Sequence, residues 1–159
     1  MAKKQEERSK GDKGKRATRF ENEAMPGAEF DDVDLRRARL HNVTLAEAVF
    51  DDVSLEGAKI KNVTLAGAVL DDVSLEKARV HNVTLAGAEL DDVSLAGARV
   101  NNADASETRW SDVNLRGARV EASDLRGVEL VGCNVEGLTI DGVRVDELLA
   151  AAKAGAGAG

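Results

Sequence analysis

The chain has 159 residues, enough for one domain, with 43% hydrophobic and 32% charged side chains and a formal net charge of −7, a composition ordinary for a globular protein. Aromatic residues make up only 3%, with three Phe, one Trp and no Tyr, which excludes the base-stacking platforms of single-strand nucleic-acid binders. One cysteine, Cys133, rules out an internal disulfide framework, and no apolar run of about eighteen residues is present to form a transmembrane helix.

Residues 1–24 form a basic segment with eight Lys/Arg against five Asp/Glu, while residues 25–159 carry fourteen against twenty-four. Its first part, "MAKKQEERSKGDKGKR", lacks the apolar stretch of a signal peptide, so the protein is expected to be cytoplasmic. It is too polar to order itself. The acidic remainder repels nucleic-acid phosphates and attracts cations or basic partners. Near the end of this segment, "RFENEAMPGAEF" introduces Phe20 and Met25 at a five-residue spacing that then persists.

From Phe30 to Val145 an apolar residue recurs at every fifth position, through Leu35, Leu40, Leu45, Phe50 and onward to Trp110, Leu130 and Ile140, with no insertion. Two residues before each stands a smaller one, as in Ala28, Val33, Ala38 and Val43, with Thr108 and Ser123 the polar departures. A period of five cannot be a helical face, because five steps of about 100° rotate the side chain by about 140° from where it began. A pair two apart, by contrast, shares one face of an extended segment. Each unit is thus a very short strand and a two-residue corner. At the second corner position, 18 of the 23 residues from Asp32 to Gly142 are Gly, Asn or Asp, the types that tolerate a left-handed backbone; Arg37, Glu47, Lys77, Glu107 and Ala122 are the exceptions. After the repeats, "VDELLAAAKAG" predicts a short helix over 146–154, with Asp146 as N-cap, Lys153 in the last turn and Gly155 beyond it. The domain plan is a tail with a partial cap (1–24), a repeat body (25–145) and a helix with an Ala/Gly tail (146–159).

This unit, an inward Ala or Val, an outward polar residue, an inward Leu and two turn residues, resembles the A(D/N)Lxx motif of the pentapeptide repeat family over about three-quarters of the chain. It departs from that motif at the outward position, more often Thr, Ser, Arg or Lys than Asp or Asn. The resemblance implies an all-β fold, a right-handed quadrilateral parallel β-helix (solenoid) of about six four-sided coils, twenty residues each. Solenoid ends need covering; Phe20 and Met25 are assigned to the N-terminal cap, and Leu148 and Leu149 to the C-terminal one.

Stacking at twenty-residue intervals turns the sequence into surface columns. Asp31, Asp51, Asp71 and Asp91 form one, and Asp32, Asp52, Asp72, Asp92 and Asp112 its neighbour. With coils about 4.8 Å apart, two carboxylates per coil give about one charge per 2.4 Å, against about one per 1.7 Å in duplex DNA. The strip reads first as turn aspartates that merely keep the prism soluble, and second as a phosphate-backbone mimic or an acidic docking surface. On the opposite side lie Arg39, Lys59, Arg79, Arg99 and Arg119, flanked by His41, Lys61 and His81. Such a bipolar surface admits heterologous contact between copies. Asn42, Asn62, Asn82 and Asn102 predict an amide ladder, and Cys133 falls at an inward position. Around Trp110, which replaces Leu where Ala105 precedes it, volume compensation is the first reading and a recognition patch with Arg109 the second.

Catalysis finds no constellation here: there is no Ser/His/Asp set, phosphate-cradling loop or Cys/His cluster at ligand spacing. The chain is expected to be a non-catalytic structural or protein-interaction module without cofactors or metal, a monomer or weak homodimer that binds a protein partner, with no membrane association and no nucleic-acid binding by its folded body. The resemblance implies an alternative, a DNA mimic acting on DNA gyrase or another topoisomerase, as inhibitor and quinolone-resistance members of the family do.

Overall fold

In the computed structural model, which describes residues 18–156, every fifth residue from Asn22 to Gly142 has positive φ. Arg37, Glu47, Lys77, Glu107 and Ala122 share this conformation, at φ between 49° and 60°, with the Gly, Asn and Asp residues around them. Turn geometry is therefore imposed at these five sites by their neighbours in the stack, against the preference of L side chains.

The four corners of a coil are of two kinds. At Leu35–Ala38 the amide of Ala38 bonds the carbonyl of Leu35 at 2.9 Å, and only the third residue, Arg37, has positive φ, as a type II turn requires. The same turn recurs at Leu45–Ala48, Leu55–Ala58 and Leu65–Ala68. At the alternate corners, Asp31–Asp32 and His41–Asn42, the strand runs through the bend and ladder pairing resumes on the far side.

Consequently the strands are β1 (Arg19–Glu21), β2 (Glu29–Asp34), β3 (Arg39–Thr44), β4 (Val49–Ser54), β5 (Lys59–Thr64), β6 (Val69–Ser74), β7 (Arg79–Thr84), β8 (Glu89–Asp91), β9 (Arg99–Asp104), β10 (Arg109–Ser111), β11 (Arg119–Glu121), β12 (Glu129–Val131), β13 (Thr139–Ile140) and β14 (Val143–Arg144), followed by helix α1 (Val145–Ala156). The odd strands and β14 build one sheet, β1-β3-β5-β7-β9-β11-β13-β14, and the remaining even strands the other, β12-β10-β8-β6-β4-β2. Pairing is parallel at a register of twenty, such as Leu40↔Ile60 and Phe50↔Leu70, except for the antiparallel β13–β14 closure. The result is a four-sided β-solenoid of about six coils, each sheet wrapping two walls and one edge. The rings of Phe30 and Phe50, one coil apart, stack at 4.8 Å and 8°, the spacing of hydrogen-bonded strands.

Inside, Ala48, Ala58, Ala68 and Ala78 are wholly buried, and Leu45, Phe50, Val53 and Leu70 nearly so. A narrow apolar channel of about 40 Å³ is lined by side chains from Leu40 to Leu125. Trp110 is one of its walls and is buried, with its Nε1–H donating to Thr108 Oγ1 at 2.9 Å while that hydroxyl donates to the Ala105 carbonyl at 2.7 Å. The large ring occupies the space that Ala103 and Ala105 leave, and Thr108, polar where Ala usually stands, satisfies its only donor. A surface recognition role for Trp110 is thereby excluded.

The ends differ from one another. β1 adds to the sheet below β3, and Phe20 and Met25 are half-buried against the core, with Phe20 edge-on to Phe30 at 6.4 Å. At the other end, Leu148 and Leu149 remain 58% and 47% exposed, so the cap assigned to them is corrected. The helix starts at Val145, one residue before the expected start, and Val145 is its residue packed on the core. Its first turn is anchored sideways, by Val145 N–H to the Leu138 carbonyl and by Gly137 N–H to the Asp146 carboxylate, which leaves the two leucines turned outward. The last coil is correspondingly open: Leu130, Val131 and Val143 are exposed, and Cys133 is half-buried with Sγ 3.4 Å from the Trp110 carbonyl. The basic segment 1–17 and residues 157–159, expected as tails, lie outside the described residues.

Candidate interaction surface

Two edges of the prism carry short polar residues at the same backbone position and solve it with different chemistry. On the edge of the odd-stranded sheet, Asn22, Asn42, Asn62, Asn82 and Asn102 form a continuous ladder in which each amide donates to the carbonyl oxygen of the residue one coil earlier, at 2.8–3.1 Å. On the edge of the even-stranded sheet, Asp32, Asp52, Asp72, Asp92 and Asp112 have φ of 50–53°, close to the 54–55° of Asn42 to Asn102. Carboxylates only accept, so no ladder can form there. None of the first four, and none of Asp31, Asp51, Asp71 and Asp91 beside them, has a salt bridge or side-chain hydrogen bond among the described residues, and all eight are exposed. Stacked unit charges at about 4.8 Å repel by roughly 1 kcal/mol even in water.

The acidic edge also forms one lip of a trough of about 560 Å³. Asp32, Asp52, Asp72 and Asp92 line it on one side and Glu56 and Glu76 on the other, with Ser54, Ser74 and Ser94 on its floor. Within it Ser94 Oγ donates to Glu76 Oε1 at 3.0 Å, and Lys77 lies 3.6 Å from Glu56 over the rim. The sequence reading placed the aspartates but missed Glu56 and Glu76. Their twenty-residue spacing was available as a signal; that they share a concavity with the aspartates depends on the width of one wall. A trough with carboxylates on both sides suits cationic side chains of a partner.

At one end of the trough Asp34 is clamped by Arg36, which donates its backbone N–H and its guanidinium, the latter at 2.6 Å. That pairing holds the Asp34 carboxyl below the usual range, chiefly through the guanidinium and then the amide. Asp124 and Arg126 repeat the arrangement on the opposite wall, four and a half coils further along the chain. Asn114 and Asn134 accept the same i+2 amide without a guanidinium, so an outward Asp or Asn before a type II turn serves as its brace. Asp146 is held furthest below the carboxylate range, by the Arg144 guanidinium first, then by the Gly137 and Glu147 amides.

The cationic residues lie on the other sheet. Arg39, Lys59, Arg79, Arg99 and Arg119 stand in register with Arg19 before them and Thr139 after. Arg119 is 3.9 Å from Glu121, whereas Arg39, Lys59, Arg79 and Arg99 have no ion pair among the described residues. The acidic and cationic columns are therefore on opposite sheets and do not meet within one molecule. Val49 and Val69, each 38% exposed, sit beside the acidic edge. Among the described residues no group of His, Cys, Asp and Glu could hold a metal ion, and no helix is long and apolar enough to cross a membrane.

The sequence profile described as pentapeptide repeats matches the chain in eight copies over residues 28–67, 48–87 and 101–137. No curated protein matches it significantly by sequence. Among solved structures it is similar to a trypsin-treated variant of QnrB1, a plasmid-mediated fluoroquinolone resistance protein, at 19% identity over 82% of this chain and 70% of that one, with a TM-score of 0.53. It is also similar to a pentapeptide repeat protein of the Arabidopsis thaliana thylakoid lumen, at 20% identity over 83% of this chain and 76% of that one, with a TM-score of 0.49. At these identities the likeness is one of fold.

Proposed function

The chain belongs to the pentapeptide repeat family, and we propose that it is a non-catalytic interaction module, a rigid rod whose acidic edge and trough receive a basic protein partner. One observation carries this reading. The same backbone position is filled by self-bonding Asn on one edge and by mutually repelling Asp on the other, so the edge with Asp forgoes stability that an isosteric residue would supply. Solubility alone does not require it, because charges of both signs interspersed along a column would serve without the repulsion. The test is capture from cell extract by wild type and by a variant with Asp51→Asn, Asp71→Asn and Asp91→Asn. A partner held by the first and lost by the second supports the reading; identical captures by both would sink it.

A second reading has the edge imitate the phosphate backbone of DNA and occupy gyrase. It is favoured by the charge spacing, with two carboxylates per coil at a pitch of about 4.8 Å giving about one per 2.4 Å against about one per 1.7 Å in duplex DNA. Supercoiling by gyrase decides it. Inhibition by micromolar wild type that the same three Asn substitutions abolish is expected, and undisturbed supercoiling removes this reading while leaving the first.

A further inference from the structure

Among the described residues the cationic wall and the acidic edge are both unpaired, and they share one geometry. Arg39, Lys59, Arg79 and Arg99 recur once per coil in direct register, and so do Asp31, Asp51, Asp71 and Asp91. Both columns run through the same four coils, with the same number of rungs and the same pitch. We propose that the cationic wall is the docking site for the acidic edge of a second copy of this chain, the two rods lying side by side and level with one another. This rests on the reading of the acidic edge as a contact surface and assigns it one partner.

Commensurate ladders are what single out a second copy. When two linear charge arrays have equal spacing, seating one rung seats them all, and every exposed pair, weak alone, acts with the others. A DNA strand advances about 3.4 Å per phosphate, against about 4.8 Å between hydrogen-bonded coils, and falls out of step by about one phosphate over four rungs. Because the wall and the edge are different surfaces, the contact is heterologous, and each added copy still presents one free wall and one free edge. Association then extends beyond a pair, into an open array or a ring according to the rotation between neighbours, and it fades as salt shortens the range of charge interactions.

Sedimentation velocity on the full chain tests this. At about 0.05 M salt, where the screening length is about 14 Å, the average size of wild type should grow with concentration; at about 1 M, where it is about 3 Å, the chain should be monomeric. A wall-neutral variant (Lys59→Gln, Arg79→Gln, Arg99→Gln) and an edge-neutral variant (Asp51→Asn, Asp52→Asn, Asp71→Asn, Asp72→Asn, Asp91→Asn, Asp92→Asn) should each lose association alone. Mixed, they should form a one-to-one pair that grows no further, since each supplies the surface the other lacks. All the substituted side chains are exposed or turned outward, circular dichroism reports that the variants fold, and the wild-type salt series needs no variant. Wild type that stays monomeric at low salt, oligomers that persist at about 1 M, or a mixture that remains monomeric overturns the proposal. If partner capture by the acidic edge succeeds while wild type stays monomeric, this inference fails and the interaction module stands.

Discussion

Converting the acidic edge to its amide counterpart should make the rod more stable. Changing Asp32, Asp52, Asp72, Asp92 and Asp112 together to Asn places amides at φ values that Asn already adopts on the opposite edge, where neighbouring rungs bond at 2.8–3.1 Å. Five residues in a row gain four links. At the low end suited to exposed groups, each link is worth about 0.5 kcal/mol, and each relieved repulsion about as much once salt has reduced the roughly 1 kcal/mol expected in water. The sum is about 4 kcal/mol, which for a chain of this size raises the melting midpoint by about 8 to 16 °C. Thermal unfolding followed by far-ultraviolet circular dichroism at neutral pH measures it. The wild-type midpoint should also climb with added salt more steeply than that of the variant. As the reciprocal control, Asn42→Asp, Asn62→Asp and Asn82→Asp should lower the midpoint. A quintuple Asn variant that melts at or below wild type would refute the reasoning, because it would mean that the carboxylates stabilise their own corners. A variant that is more stable yet fails to capture a partner is the signature of a surface retained for binding at the expense of stability.

Three further outcomes follow from single residues. Thr108→Val leaves the Trp110 Nε1–H without its acceptor inside the core, which should cost about 1–3 kcal/mol; urea unfolding followed by the fluorescence of this one Trp reads it, and a loss under about 0.5 kcal/mol would contradict the pairing. Ala122→Asn relieves an Ala held at φ 49° and sets an amide one coil beyond Asn102, so stability should rise by about 1 kcal/mol, with an unchanged or lowered urea midpoint as the adverse result. Asp146 has its folded pKa depressed by Arg144 and the Gly137 amide. Its contribution to docking α1 is therefore complete above the ordinary carboxylate range and is lost as acidification passes the lower folded value. The Gly137 amide resonance should shift in that acid window in wild type and stay flat in Asp146→Asn; a shift at the ordinary carboxylate pKa would contradict the assignment.

What could be read from residues alone was set by short-range rules. The five-residue period and most of the left-handed corner sites depend on turn chemistry within four residues; at Arg37 and Glu107, where the residue type argues otherwise, the stack imposes the conformation. The Asn ladder was readable because it repeats the same local geometry, though its first rung, Asn22, was not anticipated, as it precedes the regular repeats. Features that depend on how separate walls meet were hidden. The Glu56 and Glu76 side of the trough required the width of a wall. The outward-facing Leu148 and Leu149 required the anchoring of α1 by Gly137 and Leu138, a docking of the chain end onto an earlier turn. At Thr108 the polar departure was visible, but its purpose appeared only with the Trp110 ring beside it.

Register at twenty residues makes the length of the rod an adjustable quantity. Duplicating or removing twenty consecutive residues inside the body would lengthen or shorten every stripe by one step and leave each side's chemical identity intact, like adding a graduation to a ruler. A change of five residues would instead carry all downstream chemistry around to the adjacent side and set type II corners over strand bends, scrambling every stripe. Unequal recombination between near-identical segments such as 51–55 and 71–75 therefore offers this molecule a route to new reach that requires no new packing solution.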